Sequence, residues 1–86
     1  MDSDKKREAV LSAVAHILRK ERQKRGLTLA AVAARAGLSH QMVSFVEKEM
    51  RNPTLDTLLR IAAALEVDIA KIIDQAIRTT AKGKSK

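Results

Sequence analysis

An all-α, compact bundle of about five helices is the fold that this sequence predicts, and three observations carry that prediction. Hydrophobic residues make up 45% of the 86, and nearly all are Ala, Leu, Ile or Val, beside one aromatic residue, three Gly and one Pro. That mixture favours helices over a turn-rich β fold. The apolar positions recur at helical spacing in successive segments, and these are punctuated by capping residues, glycine or proline. A chain of this length buries only roughly 60 to 65% of its unfolded surface, so a single modest core is expected.

The first segment, residues 4–25, places Val10, Leu11, Val14, Ile17 and Leu18 at helical spacing among charged residues and ends at Gly26. Thr28 can cap a second helix over LAAVAARA, which Gly37 stops, and Ser39 can cap a third over HQMVSFVEKE. The RNPT stretch breaks the pattern, because Pro53 lacks an amide hydrogen and biases Asn52 away from the α region. Thr54 then caps LDTLLRIAAAL, whose Leu55, Leu58, Leu59, Ala62 and Leu65 are expected on one side. Asp68 opens IAKIIDQAIR, with Ile69, Ile72, Ile73, Ala76 and Ile77 as its stripe. Residues 1–77 thus read as one domain. Residues 78–86 have neither periodicity nor apolar content and are expected to form a basic, disordered tail.

Composition also excludes function classes. The chain has no cysteine, which removes a disulfide scaffold, a thiolate metal site and a cysteine nucleophile. MDSDKKREAVLSAVAH has no unbroken apolar run of signal-peptide type, and no segment approaches the roughly 20 apolar residues of a membrane span. A cytoplasmic protein with no membrane partner is expected. The net charge of +7 raises the prior for a polyanionic partner. Its distribution is uneven: residues 1–26 hold eight Lys/Arg against four Asp/Glu, residues 27–77 five against six, and residues 78–86 four against none. A nearly neutral middle must read any nucleic acid by shape and particular side chains, with the flanks supplying phosphate attraction.

The middle also holds the chain's single aromatic residue, Phe45. At about 100° per residue, Val43, Val46 and Met50 share one face of the third helix, while Gln41, Ser44, Phe45 and Lys48 take roughly the opposite arc. Phe45 then either packs beneath a neighbouring helix or dimer partner, or is presented outward to be touched. A short helix, a glycine turn and a capped second short helix over residues 29–48 form a helix-turn-helix pattern. Ala33 is small where the third helix crosses close, and Gly37 turns the chain. Val32, Ala36, Leu38, Val43 and Val46 fill the joint.

Carried by LRKERQKRGLT, LAAVAARAGLS, MVSFVEKEMRNPTLDTLLRIAAAL and the following EVD, the chain from about Ile17 to Ile73 resembles the phage repressor and Cro, or XRE, type of helix-turn-helix. The resemblance implies a lambda repressor-like DNA-binding domain whose third helix enters the major groove of double-stranded DNA. By that likeness His40, Gln41 and Phe45 face base edges, and Ser39, Ser44, Lys48, Arg51 and Asn52 lie near phosphates. Gln41 can bond both N6 and N7 of an adenine, and Phe45 can pack on a thymine methyl. The likeness also makes Arg22 and Glu47 a structural bridge between the first and third helices. Where the family usually holds a phosphate with Gln after GLT, this chain has Leu29, so that contact is expected to be missing.

Catalysis is not expected. His16 reads as a partly buried, satisfied histidine of the first helix; neither it nor His40 has partners at metal-ligand spacing, and no Gly-rich phosphate loop exists. No metal and no cofactor are therefore called for. The stripe Ile69, Ile72, Ile73 and Ile77 can fold onto the first helix, form a dimer seam, or do both, and the segment before Ile17 can serve a dimer or pack on the fifth helix. The resulting expectation is a non-enzymatic transcriptional regulator, a homodimer on a pseudo-palindromic operator with two reading helices about 34 Å apart. The alternative is an interaction module, such as an antitoxin or restriction–modification controller component, with an unidentified protein partner and autoregulatory DNA binding.

Overall fold

The computed structural model describes the backbone of residues 3–84 and the side chains of residues 3–81. Five α-helices follow one another: α1 (Ser3–Lys24), α2 (Leu29–Ala36), α3 (His40–Glu47), α4 (Leu55–Leu65) and α5 (Ile69–Lys84). Three of the starts are hydroxyl caps. The Thr28 and Ser39 hydroxyls each accept a hydrogen bond from the amide three residues on, at 3.0 Å, and Thr54 accepts from Thr57 at 3.1 Å. Such bonds satisfy amides that the first helical turn leaves without an intrahelical partner.

The first four helices end in the same way. A residue in the left-handed region follows each helix, at Gly26, Gly37, Glu49 and Glu66. In each case the amide after it reaches five residues back: Leu27 to Arg22 at 3.1 Å, Leu38 to Ala33 at 3.0 Å, Met50 to Phe45 at 2.9 Å and Val67 to Ala62 at 3.0 Å. This is the Schellman turn, which satisfies the last carbonyls while reversing the chain.

The helices pack as α2 against α3 and α4, with α1 closing one side and α5 lying along α1. Leu18, Val32, Val43 and Leu65 are the largest side chains fully removed from solvent, and Val14, Leu58, Ile61, Ile72 and Ala76 complete the same cluster. Val10, well before Ile17, packs against that cluster, so the N-terminal extension of α1 contributes to the core.

Several expectations are corrected. The third helix stops at Glu47 rather than Glu49, because Glu49 adopts φ 60. Met50 consequently leaves the face it was to share with Val43 and Val46 and is 63% exposed. On α4, Leu55 and Leu59 are exposed, and Ile61 and Ala64 take core places beside Leu58, Ala62 and Leu65. The buried arc is centred near Leu58 and Leu65, which leaves Leu55 and Leu59 just past its edge. His16 is exposed, not partly buried.

The expected disordered tail is helical as far as Lys84. Nothing in RTTAK stops a helix, and Thr80, half-buried, donates to the carbonyls of Ala76 and Ile77 at 3.1 and 2.9 Å. An Asp74–Arg78 pair at 2.9 Å bridges one turn where the tail was to begin. The expectation for Ser85 and Lys86 lies outside the described residues.

Candidate nucleic-acid interface

Three constraints fix α3 against the rest of the chain. Its inner side chains, Val43 and Val46, are 0 and 2% exposed. Its approach is set by Ala33 and Gly37. Ala33 is 4% exposed, so no larger side chain fits there without displacing a neighbour. Gly37 has φ 69, and a Cβ at that position would come within 3.2 Å of the Arg60 guanidinium. That guanidinium also donates to the Ala36 carbonyl at 3.4 Å, tying the end of α2 to α4.

The third constraint is ionic. Arg22 on α1 grips Glu47 at the end of α3 with a two-bond fork, Nε to Oε2 at 2.7 Å and Nη2 to Oε1 at 3.0 Å. Its remaining terminal nitrogen, Nη1, donates to the Leu27 carbonyl at 2.9 Å. The two side chains are only 14 and 8% exposed. A planar guanidinium with several bonds committed in this way orients the helix end as well as neutralising the carboxylate.

The outer arc of α3 is polar. His40 and Gln41 are exposed at its first turn, Ser44 and Phe45 are half-buried one turn on, and Lys48 is exposed just beyond its end. Ser39 stands at the same end of the helix, exposed, with its hydroxyl oxygen engaged by the Met42 amide; the hydroxyl proton is left to donate. Arg51 and Asn52 are exposed in the turn that follows. Leu29 is half-buried against the core and offers no polar group to a phosphate.

The proposed base-facing and phosphate-facing residues therefore belong to α3 and the segments directly flanking it. The stripe of α5 divides differently. Ile72 is buried, Ile69 and Ile73 pack at the core's margin, and Ile77 is 44% exposed. Among the described residues, Ile77 and, on α4, Leu55 and Leu59 leave large apolar area open on these two helices.

Two features were not legible in the residue pattern. The left-handed Glu49 carries no sequence signal, because glycine is the usual mark of such a turn. The placement of the Arg51 guanidinium over the Phe45 ring, with Cζ 5.5 Å from the centroid, depends on that turn; their separation of six in sequence gives no helical face in common. Behind this turn lies a cavity of about 170 Å³, walled by Leu11, Val14, Val46, Pro53 and Leu58. Among the described residues, no group of three or more His, Cys, Asp or Glu is placed to hold a metal ion, and no helix is long and apolar enough to cross a membrane.

Comparison with known proteins bears on the same region. Residues 18–72 match the helix-turn-helix family, a span running from the last turns of α1 to the first turn of α5. A relative in Sinorhizobium fredii, the uncharacterized HTH-type transcriptional regulator y4dJ, is 42% identical over 52 residues, covering 60% of this chain and 68% of the relative. Among solved structures, the wild-type restriction–modification controller protein C.Esp1396I is similar with a TM-score of 0.75 at 29% identity, over 85% of this chain and 95% of that one. A single-substitution variant of C.Esp1396I bound to its highest-affinity operator site gives a TM-score of 0.73 at 28% identity, over 81% of this chain and 92% of that one.

Proposed function

The chain belongs to the helix-turn-helix family, whose match spans residues 18–72, and from that premise we propose that it is a transcriptional regulator that binds double-stranded DNA sequence-specifically. It acts in the cytoplasm as a homodimer on a pseudo-palindromic operator, with no catalytic step and no cofactor. The observation that carries this reading is the outer face of α3. It presents Gln41 and His40 to solvent from a helix whose end is clamped by the Arg22–Glu47 fork. A fixed helix with a solvent-facing amide at its first turn suits a major groove, where an amide pairs with both N6 and N7 of adenine.

In this reading His40 and Gln41 lie toward the bases, Phe45 stands beside them on the same arc of α3, and Ser39, Ser44, Lys48, Arg51 and Asn52 lie toward the backbone. The cations exposed on the later turns of α1, Arg19, Lys20 and Lys24, add attraction that carries no sequence information. A single reading helix covers only a few base pairs, and two-fold pairing doubles the site. Leu55, Leu59 and Ile77 are the apolar side chains on α4 and α5 left for such a pairing.

The likeness to a restriction–modification controller protein over 95% of that chain favours a more specific second reading, a controller that regulates its own operon. Selection of bound duplexes from a random library at near-physiological salt tests the first reading. A two-fold symmetric motif with half-site centres about one helical turn apart is the expected result. Salt-sensitive binding with no enriched sequence would overturn it and leave charge as the basis of binding.

A further inference from the structure

Phe45 is not a bare ring facing outward, because the guanidinium of Arg51 lies over it with Cζ 5.5 Å from the ring centroid. That is within the roughly 6 Å over which a cation is attracted to an aromatic face. The turn between them makes the contact. Glu49 takes φ 60 and the Met50 amide closes on the Phe45 carbonyl at 2.9 Å, so the next residue comes back over the helix end it has just left. A non-glycine side chain in the left-handed region is a strained choice. At this place it returns Arg51 to α3.

Five of the other seven arginines supply the contrast. Arg7, Arg22, Arg25, Arg60 and Arg78 each have a carboxylate within 3.5 Å, while Arg19 and Arg35 have neither a carboxylate nor a ring against them among the described residues. Among the described residues Arg51 has no carboxylate partner, and its neighbour is the chain's single aromatic side chain. A carboxylate would hold the guanidinium in place but cancel its charge toward a polyanion. A ring holds it without cancelling the charge, and leaves the N–H edges of the guanidinium free to donate. Resting on the DNA-binding reading above, we infer that Phe45 is a positioning residue that holds Arg51 as a preset cation for a backbone phosphate at the edge of the half-site. The two side chains act as one unit, and direct contact of Phe45 with a base is not what its ring supplies.

The test uses the full chain and its selected operator duplex, titrated over a salt series, with Phe45→Leu, Phe45→Tyr, Arg51→Ala and the double variant Phe45→Leu/Arg51→Ala. Leucine keeps apolar bulk but has no ring face, whereas tyrosine keeps the face. Phe45→Leu and Arg51→Ala are each expected to weaken binding about tenfold and to make the slope of log K against log salt shallower by about one. The double variant is expected to lose no more than either single one, since the two changes remove the same contact. Phe45→Tyr should keep wild-type affinity, and Phe45→Leu should enrich the same bases as the wild type in a repeated selection.

In the free protein, NMR should show the Arg51 Hδ protons shifted upfield by the ring, and that shift should vanish in Phe45→Leu while the rest of the spectrum stays folded. Losses that multiply in the double variant would overturn the assignment. So would an unchanged salt slope with an altered base preference in Phe45→Leu, since Phe45 would then read a base by itself. If the wild-type chain enriches no sequence, the DNA-reading proposal falls first and this assignment with it. Enrichment by the wild type with multiplying losses removes the assignment alone.

Discussion

Glu47 carries a carboxylate that is 8% exposed, and Arg22 meets it with two hydrogen bonds while bonding the Leu27 carbonyl with a third. Removing the guanidinium would leave a nearly buried charge without its partner, and the cost falls on the folded state rather than on DNA contact alone. Arg22→Leu is therefore expected to destabilise the chain by about 3 kcal/mol in urea unfolding, with operator affinity lost largely through misplacement of α3. Gln41 is the opposite kind of residue. It is exposed, and no hydrogen bond within the described residues occupies its amide. Gln41→Ala should leave the unfolding curve within about 0.5 kcal/mol while costing about 1 to 3 kcal/mol on the preferred duplex and relaxing one base position. If all sequences weakened equally, its pairing with adenine would be wrong. Measured together, the two substitutions separate the residue that aims the helix from one that reads with it.

At the scale of the element, the decisive local feature is how each helix stops. The hydroxyl caps at Thr28, Ser39 and Thr54, and the limits of α2 and α4, were legible because a short polar side chain before an apolar period has one main structural use. The stops at Gly26 and Gly37 were legible for a similar reason. Glu49 was not, since nothing about a glutamate advertises a left-handed turn, and α3 is therefore two residues shorter than its pattern predicts. The helical tail is hidden in the sequence for a different reason. Lack of an apolar period does not mean lack of a helix, because Asp74–Arg78 pairing and the Thr80 hydroxyl support α5 along its solvated side. Glu66 repeats the Glu49 geometry at the end of α4, with φ 59 and no reading helix beside it. A Cβ in that region costs roughly 1 to 2 kcal/mol, and glycine returns part of the gain as lost unfolded-state freedom. Glu66→Gly is thus expected to stabilise by about 0.5 to 1 kcal/mol and raise Tm by a few degrees in thermal unfolding. A lower Tm would mean that the glutamate makes a contribution outweighing its backbone strain.

For the whole molecule, the question is what covers the apolar area that folding leaves open. One core takes Ile72, Ala76, Leu58 and Leu65, yet Leu59 remains 48% and Ile77 44% exposed on the two helices that follow the reading element. The isoleucine stripe was visible in the sequence, but its division between core and surface was not, because the spacing of a single helix does not say how far α1 reaches over it. Scattered apolar side chains are ordinary on a protein surface, so exposure alone does not make a seam. The added requirement comes from recognition: one helix reads a few base pairs, whereas a pseudo-palindromic operator presents two half-sites on one face of the duplex. A seam on α4 and α5 would satisfy both conditions at once. Leu59→Glu places a charge there without disturbing a buried contact, and the folded protomer should keep its helical content. Sedimentation at micromolar concentration should then show a wild-type dimer and a variant monomer. Thermal unfolding should depend on concentration for the wild type and not for the variant. Operator binding should fall steeply and become non-cooperative, while the base preference of the single half-site stays as it was. A wild-type chain that is monomeric both alone and on DNA would refute the two-fold reading. A variant that still pairs would move the seam away from Leu59.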